Sequence, residues 1–212
     1  QVIDWTLALA RDTRRRLMVR LVKGAYWDGE IKRAQVAGHA DYPVYTRKAH
    51  TDVAYLACAR KLLDRRDLVL PQFATHNAAT LAAVLELAGN REGFEFQCLH
   101  GMGESLYDHV VGPGTLRLPC RIYAPIGTHE TLLAYLVRRL LENGANTSFV
   151  NQVADASVDL DRLTEDPVTA AAPFAGSPHP RVPLPAALYP DRANSRGVDL
   201  ADEHALAALQ AA

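Results

Sequence analysis

Between Arg16 and Gly144 one rhythm repeats: a short apolar run rich in β-branched and aromatic residues, then an amphipathic stretch with helical spacing. The runs are LMVRLV (17–22), YPVYT (42–46), LVLPQFAT (68–75), FEFQCL (94–99) and RIYAPI (121–126). Helices are expected after them over 28–37, 51–64, 78–88, 104–111 and 128–143. Thr51 and Thr128 stand where N-caps are wanted, and Asn143-Gly144 suits the left-handed end of a helix. Upstream, IDWTLALARDTRRR reads as the last turns of a helix whose beginning is missing. Runs that are nearly continuous in apolar residues suit strands covered on both faces, and their alternation with helices predicts parallel βα units.

Five such units fit an open doubly wound sheet or part of a (βα)8 barrel. An open sheet of the dinucleotide-binding kind carries a Gly-rich phosphate loop after its first strand, and neither GxGxxG nor GxxxxGK[ST] occurs here. Polar residues stand instead at nearly every strand exit: Lys23, Thr46 with Arg47, Thr75 with His76, and His100, with Tyr123 just inside its strand. A barrel mouth is built that way, from several strand ends. The fold expected is therefore α/β: a partial (βα)8 TIM-type barrel holding the last five βα units. After Asp155 the periodicity stops. Seven of the twelve prolines lie between 167 and 190, so 1–155 is expected as barrel and 156–212 as an extended Pro-rich linker.

Composition narrows the function. In 212 residues, 49% are hydrophobic and 22% charged, which is globular, and no run of 18 apolar residues is present to cross a membrane. A net charge of −1 argues against nucleic acid as a partner. Cys58, Cys98 and Cys120 form no CxxC pair and read as reduced thiols in a cytoplasmic setting.

Four segments carry candidate chemistry. In RLVKGAYWD (20–28), Arg20 sits inside an apolar strand and must find partners. Lys23 at the exit reads as a plain solvated lysine first, and otherwise as a Schiff-base lysine or a cofactor ligand, and Gly24 permits close approach of a ligand. In ATHNAAT (74–80), Thr75 and His76 can bond a cofactor or serve as a local cap, with Asn77 capping the next helix. In QCLHGMGES (97–105), His100 has no neighbours at metal-ligand spacing. In LVRRLLENG (136–144), Arg138 and Arg139 either pair with Glu142 on a solvated face or grip a carboxylate together.

Taken together, 19–35, 42–59, 71–83, 94–110 and 119–155 resemble the proline dehydrogenase family, most nearly the dehydrogenase domain of the bifunctional bacterial proline utilisation A proteins. The resemblance covers about 150 residues. It implies a distorted (βα)8 barrel carrying FAD, which oxidises L-proline to Δ1-pyrroline-5-carboxylate and passes electrons to a membrane quinone. By that likeness Arg20, Val22, Lys23, Gly24, Ala25 and Trp27 line the cofactor. Thr46, Arg47, Lys48, Thr75, His76, Asn77, Cys98, Leu99, Glu142, Ser148 and Phe149 add further cofactor contacts. Arg138 and Arg139 bind the proline carboxylate, and Tyr26, Leu99 and Tyr123 shape the pocket; Arg20, Tyr123, Arg138 and Arg139 are the residues expected to carry catalysis. The family's lysine and aspartate of the proline site belong to earlier strands, so the five runs match the last five of eight. The tail resembles a connector towards an aldehyde dehydrogenase domain. The likeness also implies a homodimer and a cytoplasmic protein peripheral at the inner membrane face. Two rivals stand beside it: an aldolase-like barrel with Lys23 as Schiff base, and a non-catalytic partial barrel.

Overall fold

The computed structural model describes residues 1–24, 26–144 and 159–211. Their contacts divide them into two compact units: 1–23 with 52–166, and 24–51 with 167–212. Residues 167–212 cluster with 24–51.

The first unit holds a parallel four-stranded sheet whose order follows the sequence: β1 (Leu17–Val22), β2 (Val69–Ala74), β3 (Glu95–Leu99) and β4 (Cys120–Tyr123). Helices α1 (Val2–Thr13), α4 (Ala78–Ala88), α5 (Glu104–Val111) and α6 (His129–Gly144) belong to it, as does most of α3 (Lys48–Leu63). The expectation of five strands is corrected to four. YPVYT is not a strand: β1 pairs directly with β2 over all six of its residues, Leu17 against Val69 through Val22 against Ala74. That ladder leaves no place between them for another strand, and Pro43 lacks the N–H a ladder needs.

Register sorts the side chains onto two faces. Phe73 stands against Phe96, and Phe96 against Cys120. With Phe94 they meet Tyr55, Ala59, Leu81, Val84, Tyr107 and Val110 from α3, α4 and α5 in the main core. The rings of Phe73, Phe94 and Phe96 lie 5.7 to 6.2 Å apart, tilted or edge to face. All three are almost fully buried, which stabilises the unit by roughly 2 kcal/mol each. A smaller cluster of Leu7, Leu62 and Val69 joins α1 and α3 to β2. The opposite face carries Arg20, Gln72 and Glu95 in one row, and Val22, Ala74, Gln97 and Arg121 in the next.

Helix ends follow local chemistry. The Asn77 side chain accepts from Thr80 N at 2.9 Å, so α4 starts where the sequence places it. Helix α3 starts three residues before Thr51, at Lys48.

The second unit contains α2 (Trp27–Ala37), helical turns at Pro167–Ala171, Ala172–Phe174 and Pro185–Ala187, and a last helix at Glu203–Gln210. Helix α2 closes on Gly38 with φ 66°, and Gly197 N donates to Gly38 O at 2.9 Å. A Cβ at Gly38 would run into the Ser195 carbonyl, so only glycine lets the two segments touch. Tyr42 Oη donates to Pro183 O at 2.6 Å, and Asn194 Nδ2 donates to Gln35 O at 3.3 Å. The Pro-rich stretch is therefore held by specific hydrogen bonds to 24–51.

Candidate functional site

In the first unit the polar face of the sheet is a bonded network. Arg20 Nε donates to Gln97 Oε1 at 2.9 Å, and its guanidinium lies 5.1 Å from the centre of the Tyr123 ring. Gln97 Nε2 donates in turn to Glu95 Oε1 at 3.0 Å. The same oxygen accepts from Gln72 Nε2 at 2.7 Å and from Arg121 Nε at 2.9 Å, and Glu95 Oε2 accepts from Arg121 Nη2 at 3.0 Å. Glu95 is 7% exposed, so the fork of Arg121 balances a nearly buried carboxylate. Arg121 chiefly, helped by the two amides and against burial, holds the Glu95 carboxyl below its ordinary range.

At the exit of β1, Lys23 Nζ pairs with Asp52 Oδ1 at 2.6 Å and donates to Thr80 Oγ1 at 2.9 Å. It also lies 5.2 Å from the centre of the Tyr55 ring. Tyr55 is 4% exposed and its hydroxyl meets no hydrogen-bond partner among the described residues. Burial pushes that hydroxyl well above the ordinary tyrosine range, against the pull of the Arg20 charge.

At the exit of β2, Thr75 Oγ1 accepts from Asn77 N at 3.1 Å, and the Tyr107 hydroxyl lies 2.7 Å from Thr75 O. His76 Nε2 accepts from Leu99 N at 3.0 Å, joining the ends of β2 and β3. Burial, with the Arg139 charge second, lowers the His76 pKa and favours the neutral ring that this bond needs. Leu99 ends β3 nearly buried. Cys98 points to the core, its sulfur 3.8 Å from that of Cys120, so it offers the polar face only its main chain. On α6, Arg138 and Arg139 are adjacent and half-buried, and Arg139 lies 5.2 Å from the centre of the Tyr135 ring.

The first unit thus brings together Arg20, Lys23, Thr75, His76, Asn77, Leu99 and Tyr123 around the strand ends. In the second unit, Trp27 Nε1 donates to Tyr45 O at 2.8 Å and Tyr26 is exposed. Thr46 Oγ1 accepts from His179 N at 2.8 Å. Arg47 Nε donates to Ser177 O at 3.0 Å, and its guanidinium stacks 4.0 Å from the centre of the Phe174 ring. Lys48 starts α3, and Gly24 has open space where a Cβ would stand. Ala25, Ser148 and Phe149, and the side chain of Glu142, lie outside the described residues.

Sequence reasoning missed Glu95, Gln97, Gln72 and Arg121. The signal was present in FEFQCL, whose glutamate and glutamine stand two apart on one face of a strand. Asp52, Tyr55 and Thr80 were missed because they become neighbours of Lys23 only through α3 and α4.

The first unit therefore sets an arginine, a lysine, a tyrosine and a histidine at the ends of parallel βα strands. The family model described as proline dehydrogenase matches residues 1–152, and the chain belongs to that family. It is 63% identical over 224 residues to the bifunctional protein PutA of Escherichia coli strain K12, covering 100% of this chain and 17% of that protein. The PutA protein of Rhizobium meliloti is 59% identical over 214 residues, covering 98% of this chain and 17% of the relative. Among solved structures, proline utilization A of Bradyrhizobium japonicum superposes with a TM-score of 0.91 at 56% identity, over 99% of this chain and 22% of that one. A proline utilization A structure from Bdellovibrio bacteriovorus, inactivated by N-propargylglycine, gives 0.81 at 33% identity, over 99% of this chain and 21% of that one. The chain therefore spans about a fifth of the length of these relatives.

Proposed function

We propose that the chain forms part of an FAD-dependent proline dehydrogenase, oxidising L-proline to Δ1-pyrroline-5-carboxylate. The observation that carries this reading is the family match over residues 1–152 together with the cations at the strand ends of the same segment. Arg20 and Lys23 supply positive charge and hydrogen-bond donors, while Met18 and Val22 present apolar surface on the Arg20 face. That donor set fits a flavin dinucleotide, which is anionic at its phosphates and flat at its ring.

FAD would supply the hydride acceptor. The chain's own work is positioning. Arg138 and Arg139 are proposed to hold the carboxylate of the substrate, and Leu99 and Tyr123 to wall its ring, so that the reacting carbon is presented in one orientation. Arg20 is proposed to stand by the flavin ring and favour negative charge there on reduction. The resemblance extends cofactor contacts to Val22, Gly24, Ala25, Trp27, Thr46, Arg47, Lys48, Thr75, His76, Asn77, Cys98, Glu142, Ser148 and Phe149, and a substrate contact to Tyr26. It also supplies a membrane quinone as electron acceptor, a homodimer, an aldehyde dehydrogenase domain beyond 156–212 and a cytoplasmic, membrane-peripheral setting. No helix among the described residues is long and apolar enough to cross a membrane.

Lys23 is unsuited to the aldolase alternative. An ammonium paired at 2.6 Å with Asp52 is not the free amine that attacks a carbonyl.

The test is an absorbance spectrum of the chain mixed with FAD and freed of excess, then given L-proline without oxygen. Retained flavin absorbance that bleaches with proline is expected. Retained absorbance that does not bleach would support the non-catalytic partial barrel. Trapping of a carbonyl compound on Lys23 by borohydride would restore the aldolase.

A further inference from the structure

Glu95 is the most heavily bonded side chain on the polar face. Its four hydrogen bonds all come from donors: Gln72 Nε2, Gln97 Nε2, Arg121 Nε and Arg121 Nη2. An amide side chain is polar end to end, with NH₂ at one end and oxygen at the other. Because Glu95 accepts only, it takes the NH₂ of Gln97 and leaves the Gln97 oxygen facing Arg20, where Nε donates to it at 2.9 Å.

We propose that Glu95 is a positioning residue for Arg20, acting through Gln97 by fixing which end of that amide the guanidinium meets. This deepens the dehydrogenase reading and rests on it for the part Arg20 plays beside the flavin. Register supports the relay, since Gln97 pairs with Ala74 and Arg121 on the neighbouring strands, so rigid backbone fixes all its members. The Tyr123 ring 5.1 Å from the Arg20 guanidinium adds a second restraint on the same group.

The isosteric change Glu95→Gln exposes the logic. An amide at 95 offers one oxygen to four donors, so a neighbour must turn round to meet its NH₂. If Gln97 turns, it presents NH₂ to Arg20, donor against donor, and the bond is lost. The exchange Glu95→Gln with Gln97→Glu restores an acceptor opposite Arg20. It keeps the same atoms in the network, while Arg121 still loses its carboxylate. A general structural role for Glu95 would not be rescued by that exchange, whereas the relay would be.

Two readouts on the full chain decide it. The first needs no cofactor: water exchange of the Arg20 Nε–H, followed by nitrogen-15 NMR. It is expected to be slow in the wild type, about tenfold faster in Glu95→Gln, and slow again in the exchange variant. The second is reduction of bound FAD by L-proline, expected to slow about tenfold in Glu95→Gln. An Arg20 signal unmoved by Glu95→Gln, or moved and not rescued, overturns the proposal. A released Arg20 with unimpaired flavin reduction overturns it as well. If the wild-type chain with FAD is not bleached by proline, the partial barrel is non-catalytic by itself, and the NMR result alone decides the relay.

Discussion

His76 shows how one side chain serves as a clasp while its chemistry stays measurable. Its Nε2 accepts from the Leu99 amide, which only an unprotonated nitrogen can do. Burial and the Arg139 charge depress its pKa, so at mildly acid pH the unfolded chain binds more protons than the folded one. Stability contributed by His76 is therefore complete above the ordinary histidine value, about 6.5, and is lost as pH falls through that value and the depressed one. Urea titrations from neutral to acid pH are expected to show this loss in the wild type. His76→Gln keeps an acceptor for Leu99 N without titrating, so its slope should be shallower; equal slopes would contradict the clasp. Arg20 was legible from sequence, because an arginine within an apolar strand demands partners, and it has Gln97 and Tyr123. Which residues those would be was not legible. They come from β3 and β4, and only the three registers that join the four strands bring them to Arg20.

At the scale of elements, periodicity carried furthest where the core dictates it. Strands β1, β2 and β3 fall within a residue of the apolar runs, since Phe73, Phe94 and Phe96 must all be buried by the same helices. The run 42–46 misled because an apolar, aromatic composition is shared by strands and by loops that pack on something. Tyr42 and Thr46 do bond, but to Pro183 and His179 rather than to a ladder. The weight of the core itself can be measured. Phe73→Ala removes the ring that touches both Phe94 and Phe96, and is expected to cost about 3–5 kcal/mol in chemical denaturation. A loss under about 1 kcal/mol would show that the cluster closes around the gap and does not define the unit.

For the molecule as a whole, contacts define two discontinuous units that no periodic pattern in the sequence marks. The cause lies in hydrogen bonds that no periodic pattern announces. Seven prolines remove backbone donors and local periodicity from 167–190, so that stretch relies on partners distant in sequence. Arg47 is the most committed of them. Its Nε reaches Ser177 O and Pro178 O at 3.0 and 3.3 Å, and its guanidinium lies on the Phe174 ring. The nearby Thr46 hydroxyl takes the His179 amide. These are the residues the resemblance assigns to a cofactor, and the structure employs them in holding the tail. Arg47→Ala therefore discriminates by place. It should remove about 1 kcal/mol of local stability, seen as roughly fivefold faster amide exchange over 177–182. Exchange in β2 and β3, which belong to the other unit, should be unchanged. Faster exchange in both units would mean that the chain opens as one cooperative body, and the division into two would then describe contact density alone.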